Sequence, residues 1–114
     1  MIENFEEITV ELTEEELEMI PMVIRGMSKY SKSNQIKSDE IVKRWNANSE
    51  FNMTGAKLRK MVNYIRTKGL CPIIATSSGY YVSTDKEEIK SQVKSLNQRA
   101  ASIKQCADGL KRFL

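Results

Sequence analysis

Residues 54–69, TGAKLRKMVNYIRTKG, constrain this chain more than any other stretch. Thr54 is a helix N-cap by type, and Gly69 is a C′ residue preceded by the cation Lys68. Between them Leu58, Met61, Val62 and Ile65 fall at i, i+3, i+4 and i+7, one apolar face of an amphipathic helix. At about 100° per residue the opposite face centres on Ala56, Lys60, Asn63 and Thr67, with Arg59 alongside. Lys57 and Tyr64 lie on one flank and Arg66 on the other. Such a helix packs on one side and presents cations and an amide on the other.

Charge sharpens the point. Residues 1–20 hold eight glutamates and no Lys or Arg, so all eighteen basic residues fall in the remaining chain, against seven acidic ones. From Phe51 to Thr84 there are five basic residues and no acid. A one-sided basic block is the electrostatic footprint of a nucleic-acid binder, and a solvated helix face gives a similar pattern. With no histidine and only Cys71 and Cys106, ordinary zinc sites and His-based triads are excluded. No cofactor or enzymatic activity is expected, since no paired acid and base, glycine-rich phosphate loop or metal cluster is present. No apolar run approaches the ~20 residues that span a bilayer, and the acidic start does not read as a secretory signal. A cytoplasmic protein with free thiols is the expectation.

Upstream, LTEEELEMI carries a capping-box signature at Thr13 and Glu16, with Leu12 and Leu17 at staple positions. Leu17, Ile20, Ile24 and Met27 are expected to face the core, and Pro21 to kink or break this first helix. Met19, Met22 and Met27 read as adaptable core packing rather than a partner surface. A short strand is expected around 35–37. Ser38 is expected to cap a second helix, SDEIVKRWN, with Ile41, Val42 and Trp45 on its apolar side. Downstream, two strands near Cys71–Ala75 and Tyr80–Ser83 flank TSSG, with Gly79 supplying the turn.

Helix, short strand, helix, loop, helix, hairpin is the order of a winged helix-turn-helix, with the third helix as reader and TSSG as the wing tip. The fold class expected is therefore mainly α with a small β-hairpin. Residues 1–84 form the winged domain with its acidic N-terminal segment, and 85–114 a C-terminal helix. Arg59, Lys60 and Asn63 are the expected base contacts, because Arg and Lys pair with guanine and Asn with adenine. Thr54, Lys57, Arg66, Lys68, Ser77, Ser78 and Tyr81 are the expected phosphate contacts, with one of Tyr80 and Tyr81 packing inside.

The final helix, expected from Thr84, sets Ile89, Val93, Leu96, Ala100, Ile103, Ala107, Leu110 and Leu114 at alternating spacings of four and three. That is a heptad seam, through Ile89 to Leu110, for a homodimer; the competing reading folds it back on its own domain.

The segments ITVELTEEELEMIP, TGAKLRKMVNYIR, GLCPIIATSSGYYVSTDKEEI and KSLNQRAASI resemble small winged-helix proteins encoded by bacteriophages and prophages. The shared pattern is a T-G-x-x-[LV]-R-K helix, an apolar strand, S-x-G-Y-Y and an SL-x-x-R final helix. The resemblance implies a double-stranded DNA-binding regulator or accessory factor in a bacterial host cytoplasm. The alternative is a winged-helix protein-interaction module, in which the acidic segment docks a basic partner or shields the DNA surface.

Overall fold

Thr13 and Glu16 start the first helix as their spacing predicts. In the computed structural model, which describes residues 11–114, the Glu16 amide donates to Thr13 Oγ1 at 3.1 Å. The Thr13 amide donates to Glu16 Oε1 at 2.9 Å. Glu3, Glu6 and Glu7 of the acidic segment lie outside the described residues. Helix α1 runs Glu14–Met27 and continues through Pro21 instead of breaking there. Pro21 and Leu17 both lie on the exposed side, where the Leu17 carbonyl that loses its N–H partner can turn to water.

The buried stripe of α1 is Glu16, Ile20, Val23 and Met27, a rotation from the expected one. Leu17 is 42% exposed and Ile24 only partly covered. The reason lies far along the chain: Lys60 Nζ sits 2.7 Å from Glu16 Oε1, and both side chains are largely out of water. Burial pushes the Glu16 carboxyl up, but the Lys60 and Thr13 hydrogen bonds and the Lys60 charge outweigh it. The group is held below the ordinary glutamate value.

Helix α2 spans Ser38–Asn48. Its N-cap is Lys37, without a side-chain cap, and not Ser38, which is already helical. Ile36 explains the shift. Its amide donates to the Tyr80 carbonyl at 3.0 Å and its carbonyl accepts from the Tyr80 amide at 2.7 Å, which leaves residue 37 to turn the chain. The strand expected at 35–37 is thus a single bridged residue.

Helix α3 spans Gly55–Thr67, and Thr54 Oγ1 caps it by accepting from the Lys57 amide at 3.2 Å. Asn46 of α2 fixes where it begins. The Asn46 side chain accepts from the Met53 amide at 2.8 Å and donates to the Met53 carbonyl at 3.0 Å. Trp45, on the apolar side of α2 as expected, packs edge-on to Phe51 with ring centroids 6.2 Å apart. Leu58, Met61 and Ile65 are fully buried and Val62 nearly so, which places the core under α3 as the spacing predicts. Gly69 ends the helix at φ +65°, with the Gly69 amide donating to Arg66 O and the Leu70 amide to Ile65 O, a Schellman closure.

Strands β1, Ile73–Thr76, and β2, Gly79–Val82, pair antiparallel with Ile73 opposite Val82 and Ile74 opposite Tyr81. Gly79 is required by more than the turn. At φ +135° a Cβ there would lie 2.4 Å from the Ile36 carbonyl oxygen, so only glycine lets the chain before α2 approach β2.

The chain divides into compact units at Ser83 and Thr84. The second is helix α4, Lys86–Leu110, followed by a 3₁₀ turn, Lys111–Phe113. Asp85 caps it, accepting from the Glu87 amide at 2.8 Å, so the helix starts two residues after the expected Thr84 and Leu114 falls past its end. Mainly helical, with one hairpin and a long C-terminal helix, the fold is of the expected class.

Two consequences are measurable by urea unfolding. Glu16→Gln strands the Lys60 ammonium and should cost about 1–3 kcal/mol, below the usual cost of breaking a buried pair because the lysine stem can still lift its head toward water. Glu16→Met with Lys60→Met should recover part of that loss, since it removes the stranded ammonium but also the acceptor of the Thr13 amide. Because the folded carboxyl titrates below the unfolded one, the pair's stabilisation is complete at neutral pH and fades as pH falls through the acid side of the glutamate range. The wild type should therefore lose stability on acidification more steeply than the Met pair. Gly79→Ala should cost more than about 2 kcal/mol through strain and the clash with Ile36. A loss under half of that would mean the bridge to Ile36 is easily given up.

Candidate nucleic-acid interface

Helix α3 packs against β1, and Tyr80 of β2 packs against the core that α3 helps to form. Along β2, Tyr80 and Val82 face the core side with Ile73, whereas Tyr81 pairs with Ile74 on the other face and is 3% exposed. Alternation puts the two tyrosines on opposite faces, and burial decides: the expected phosphate contact at Tyr81 is withdrawn, since its ring is buried. Tyr80 is half-buried. Burial raises its phenol pKa, and the nearby positive charges of Arg59 and Arg66 pull it back in part. Arg59 and Arg66 are seven residues apart on one stripe of α3, with Asn63 between them. The hairpin hydroxyl thus stands beside the arginine edge of the helix.

The three expected base contacts separate. Lys60 points to α1, where its ion pair with Glu16 leaves the side chain 15% exposed, and it is withdrawn as a base contact. Helical spacing places residue 60 near the centre of the face opposite the apolar stripe, but a lysine stem is long enough to swing its ammonium round to a neighbouring helix. Arg59 and Asn63 remain, both half-buried. The Arg59 guanidinium lies over the first turn, with one nitrogen 3.4 Å from where a Cβ on Gly55 would stand, an ordinary contact distance.

The expected phosphate contacts also divide. Lys57 is held locally: its Nζ donates to the Asn52 carbonyl at 2.9 Å and sits 5.1 Å from the centre of the Phe51 ring. Thr54 is exposed with its hydroxyl oxygen occupied in the cap. Arg66 is half-buried beside Tyr80. Lys68 is exposed at the end of α3, 6.0 Å from the Tyr64 ring centre. Ser77 and Ser78 form the exposed tip, where the Ser78 amide donates to Thr76 Oγ1 at 3.1 Å. Thr76 Oγ1 in turn donates to Gln35 Oε1 at 2.5 Å, which ties the hairpin to the segment before α2.

Three features here were not expected from the sequence. One is Tyr80 packed against the core within reach of the Arg59 and Arg66 charges. Another is a cleft of about 250 Å³ between the hairpin and the start of α2, lined by Lys37, Ser38, Asp39, Thr76 and Ser77 among others. The third is the Glu16–Lys60 pair. Only the first had a signal, the neighbouring tyrosines, and parity alone could not say which one faces inward.

On α4 the expected seam forms one stripe. Val93, Leu96, Ala100, Ile103, Ala107 and Leu110 are all exposed, and Ile89 is half-buried.

Among the described residues no helix is long and apolar enough to cross a membrane, and no cluster of His, Cys, Asp or Glu could hold a metal ion. No protein-family model, no curated protein and no solved structure matches the chain.

Proposed function

We propose that this chain binds double-stranded DNA as a winged helix-turn-helix protein, with α3 as the reading element and the β1–β2 tip as the wing. The observation that carries this reading is the arginine edge of α3, Arg59 and Arg66 with Asn63 between, set beside Tyr80 of the hairpin in a stretch without a single acid. Arg59 and Asn63 have the chemistry for base edges, bidentate to guanine and adenine respectively. Lys68, Ser77 and Ser78 are exposed and suit phosphates, which fix register without reading sequence. The resemblance to phage-encoded winged-helix proteins points the same way, toward a regulator or accessory factor. A protein-interaction role is the second reading, favoured by the exposed apolar stripe on α4.

Retention of random duplex DNA in a gel at two salt concentrations tests the first reading. Affinity should fall steeply with salt, because neutralising phosphates releases counterions. Lys68→Ala should lower the log–log slope by about 1. Absence of binding even at low salt removes the proposal. The Glu16→Met and Lys60→Met pair should leave the log–log salt slope unchanged, because Lys60 faces α1 and meets no phosphate.

Once a preferred site is selected from random sequences, single-base variants test the readers. Arg59→Ala and Asn63→Ala should each flatten preference at one or two base pairs, by roughly 1–3 kcal/mol of discrimination. Ser78→Ala should weaken binding evenly across the variants. An unchanged profile for both helix substitutions would move sequence reading away from α3.

A further inference from the structure

The apolar stripe of α4 is edged by one sign of charge. In heptad terms Val93, Ala100 and Ala107 take the a positions, and Ile89, Leu96, Ile103 and Leu110 the d positions. The e positions are then Lys90, Asn97 and Lys104, continued by Lys111 in the 3₁₀ turn, and the g positions are Gln92, Arg99 and Cys106. Within Lys86–Leu110 no acid stands at an e or g position; the preceding g residue, Asp85, is the N-cap, and Glu87, 3.5 Å from the Lys90 ammonium, lies outside both edges. Asp108 lies outside both edges, 3.4 Å from the ammonium groups of Lys104 and Lys111.

This charge pattern bears on the homodimer expected from heptads alone. In a parallel pair the g edge of one helix meets the e edge of the other, setting Arg99 against Lys104 of the second copy. In an antiparallel pair the e edges meet each other and the g edges meet each other, so the lysine edge faces a second lysine edge. Either orientation brings cations together. A facing helix with acids on both edges would instead meet Lys90, Lys104 and Lys111 on one side of the stripe and Arg99 on the other. The two alanines add a requirement of size, since two small a positions leave room for larger side chains from the opposite strand.

We propose that α4 is a docking surface for an amphipathic helix of another protein, one whose apolar stripe is bordered by Asp or Glu and carries large aliphatic residues opposite Ala100 and Ala107. The contact is a two-stranded, heterotypic coiled coil. It stands apart from DNA binding by α3, and it fails or holds in an assay that contains no DNA.

The probe is a fluorescent synthetic helix copying residues 86–114 with Lys90→Glu, Arg99→Glu, Lys104→Glu, Lys111→Glu, Ala100→Leu and Ala107→Leu. Its anisotropy is followed on titration with the full-length protein, beside the native-sequence peptide and a peptide that adds Leu96→Asp and Ile103→Asp to the first. The acidic peptide should bind at least tenfold more tightly than the native-sequence one and weaken with added salt. Breaking its stripe should abolish binding, as should Leu96→Asp with Ile103→Asp in the protein, checked for retained helicity by circular dichroism. Light scattering should find the protein alone monomeric. Equal or tighter binding of the native-sequence peptide, or a dimer of the protein alone, would overturn the proposal in favour of self-pairing. Undiminished binding of the broken-stripe peptide would reduce the contact to charge alone and overturn it too. So would the failure of all three peptides to bind.

Discussion

One carboxylate oxygen organises the first unit. Glu16 Oε1 accepts from the Thr13 amide, closing the start of α1, and also from Lys60 in the middle of α3. A local capping bond and a contact forty-four residues away therefore share one acceptor. Moving either partner disturbs the other, so the rotation of α1 about its axis and that of α3 are set together. The same pair removes a cation from the outward face of α3 and leaves Arg59, Asn63 and Arg66 to define that face's chemistry. An ion pair this far out of water contributes orientation more surely than it contributes stability.

The hairpin is fixed by backbone approach, helped by one side-chain bond from Thr76 Oγ1 to Gln35 Oε1. Ile36 exchanges two hydrogen bonds with Tyr80, and Gly79 has no Cβ to prevent it. Asn46 does the equivalent work between α2 and α3, replacing two backbone partners of Met53 with one side-chain amide. The helix pair and the hairpin are thus tied by short polar links at their edges, while Leu58, Met61 and Ile65 fill the space between.

Where a feature depended on neighbours three or four residues away, the sequence was readable. Thr13 with Glu16, Thr54 with Lys57, the apolar face of α3 and the glycine after it all follow from local spacing, and each is present. Readings failed where a distant partner decided the outcome. Leu17 looked like a core residue until Glu16, drawn inward by Lys60, took the buried side. Ser38 looked like a cap until Ile36, held by Tyr80, moved the turn to Lys37. Tyr80 and Tyr81 are equivalent in type, and only the tertiary packing, which half-covers Tyr80 against the main core and buries Tyr81 on the other face, separates them. Of the candidate site, the cation-rich stretch was legible as a stretch, whereas which cations face inward depended on α1 and the hairpin.

The brevity of the hairpin has a consequence for how much of a duplex it can report on. Two residues, Ser77 and Ser78, lie between the paired ends Thr76 and Gly79, and Tyr81 and Ile74 behind them are buried. Two residues span at most about 7 Å. Along one DNA strand phosphates recur about every 3.4 Å of helix axis, so a tip of this size covers one or two of them. On the proposed reading such a wing acts as a positional stop. It sets how far along the groove α3 can slide and leaves the choice of sequence to the helix.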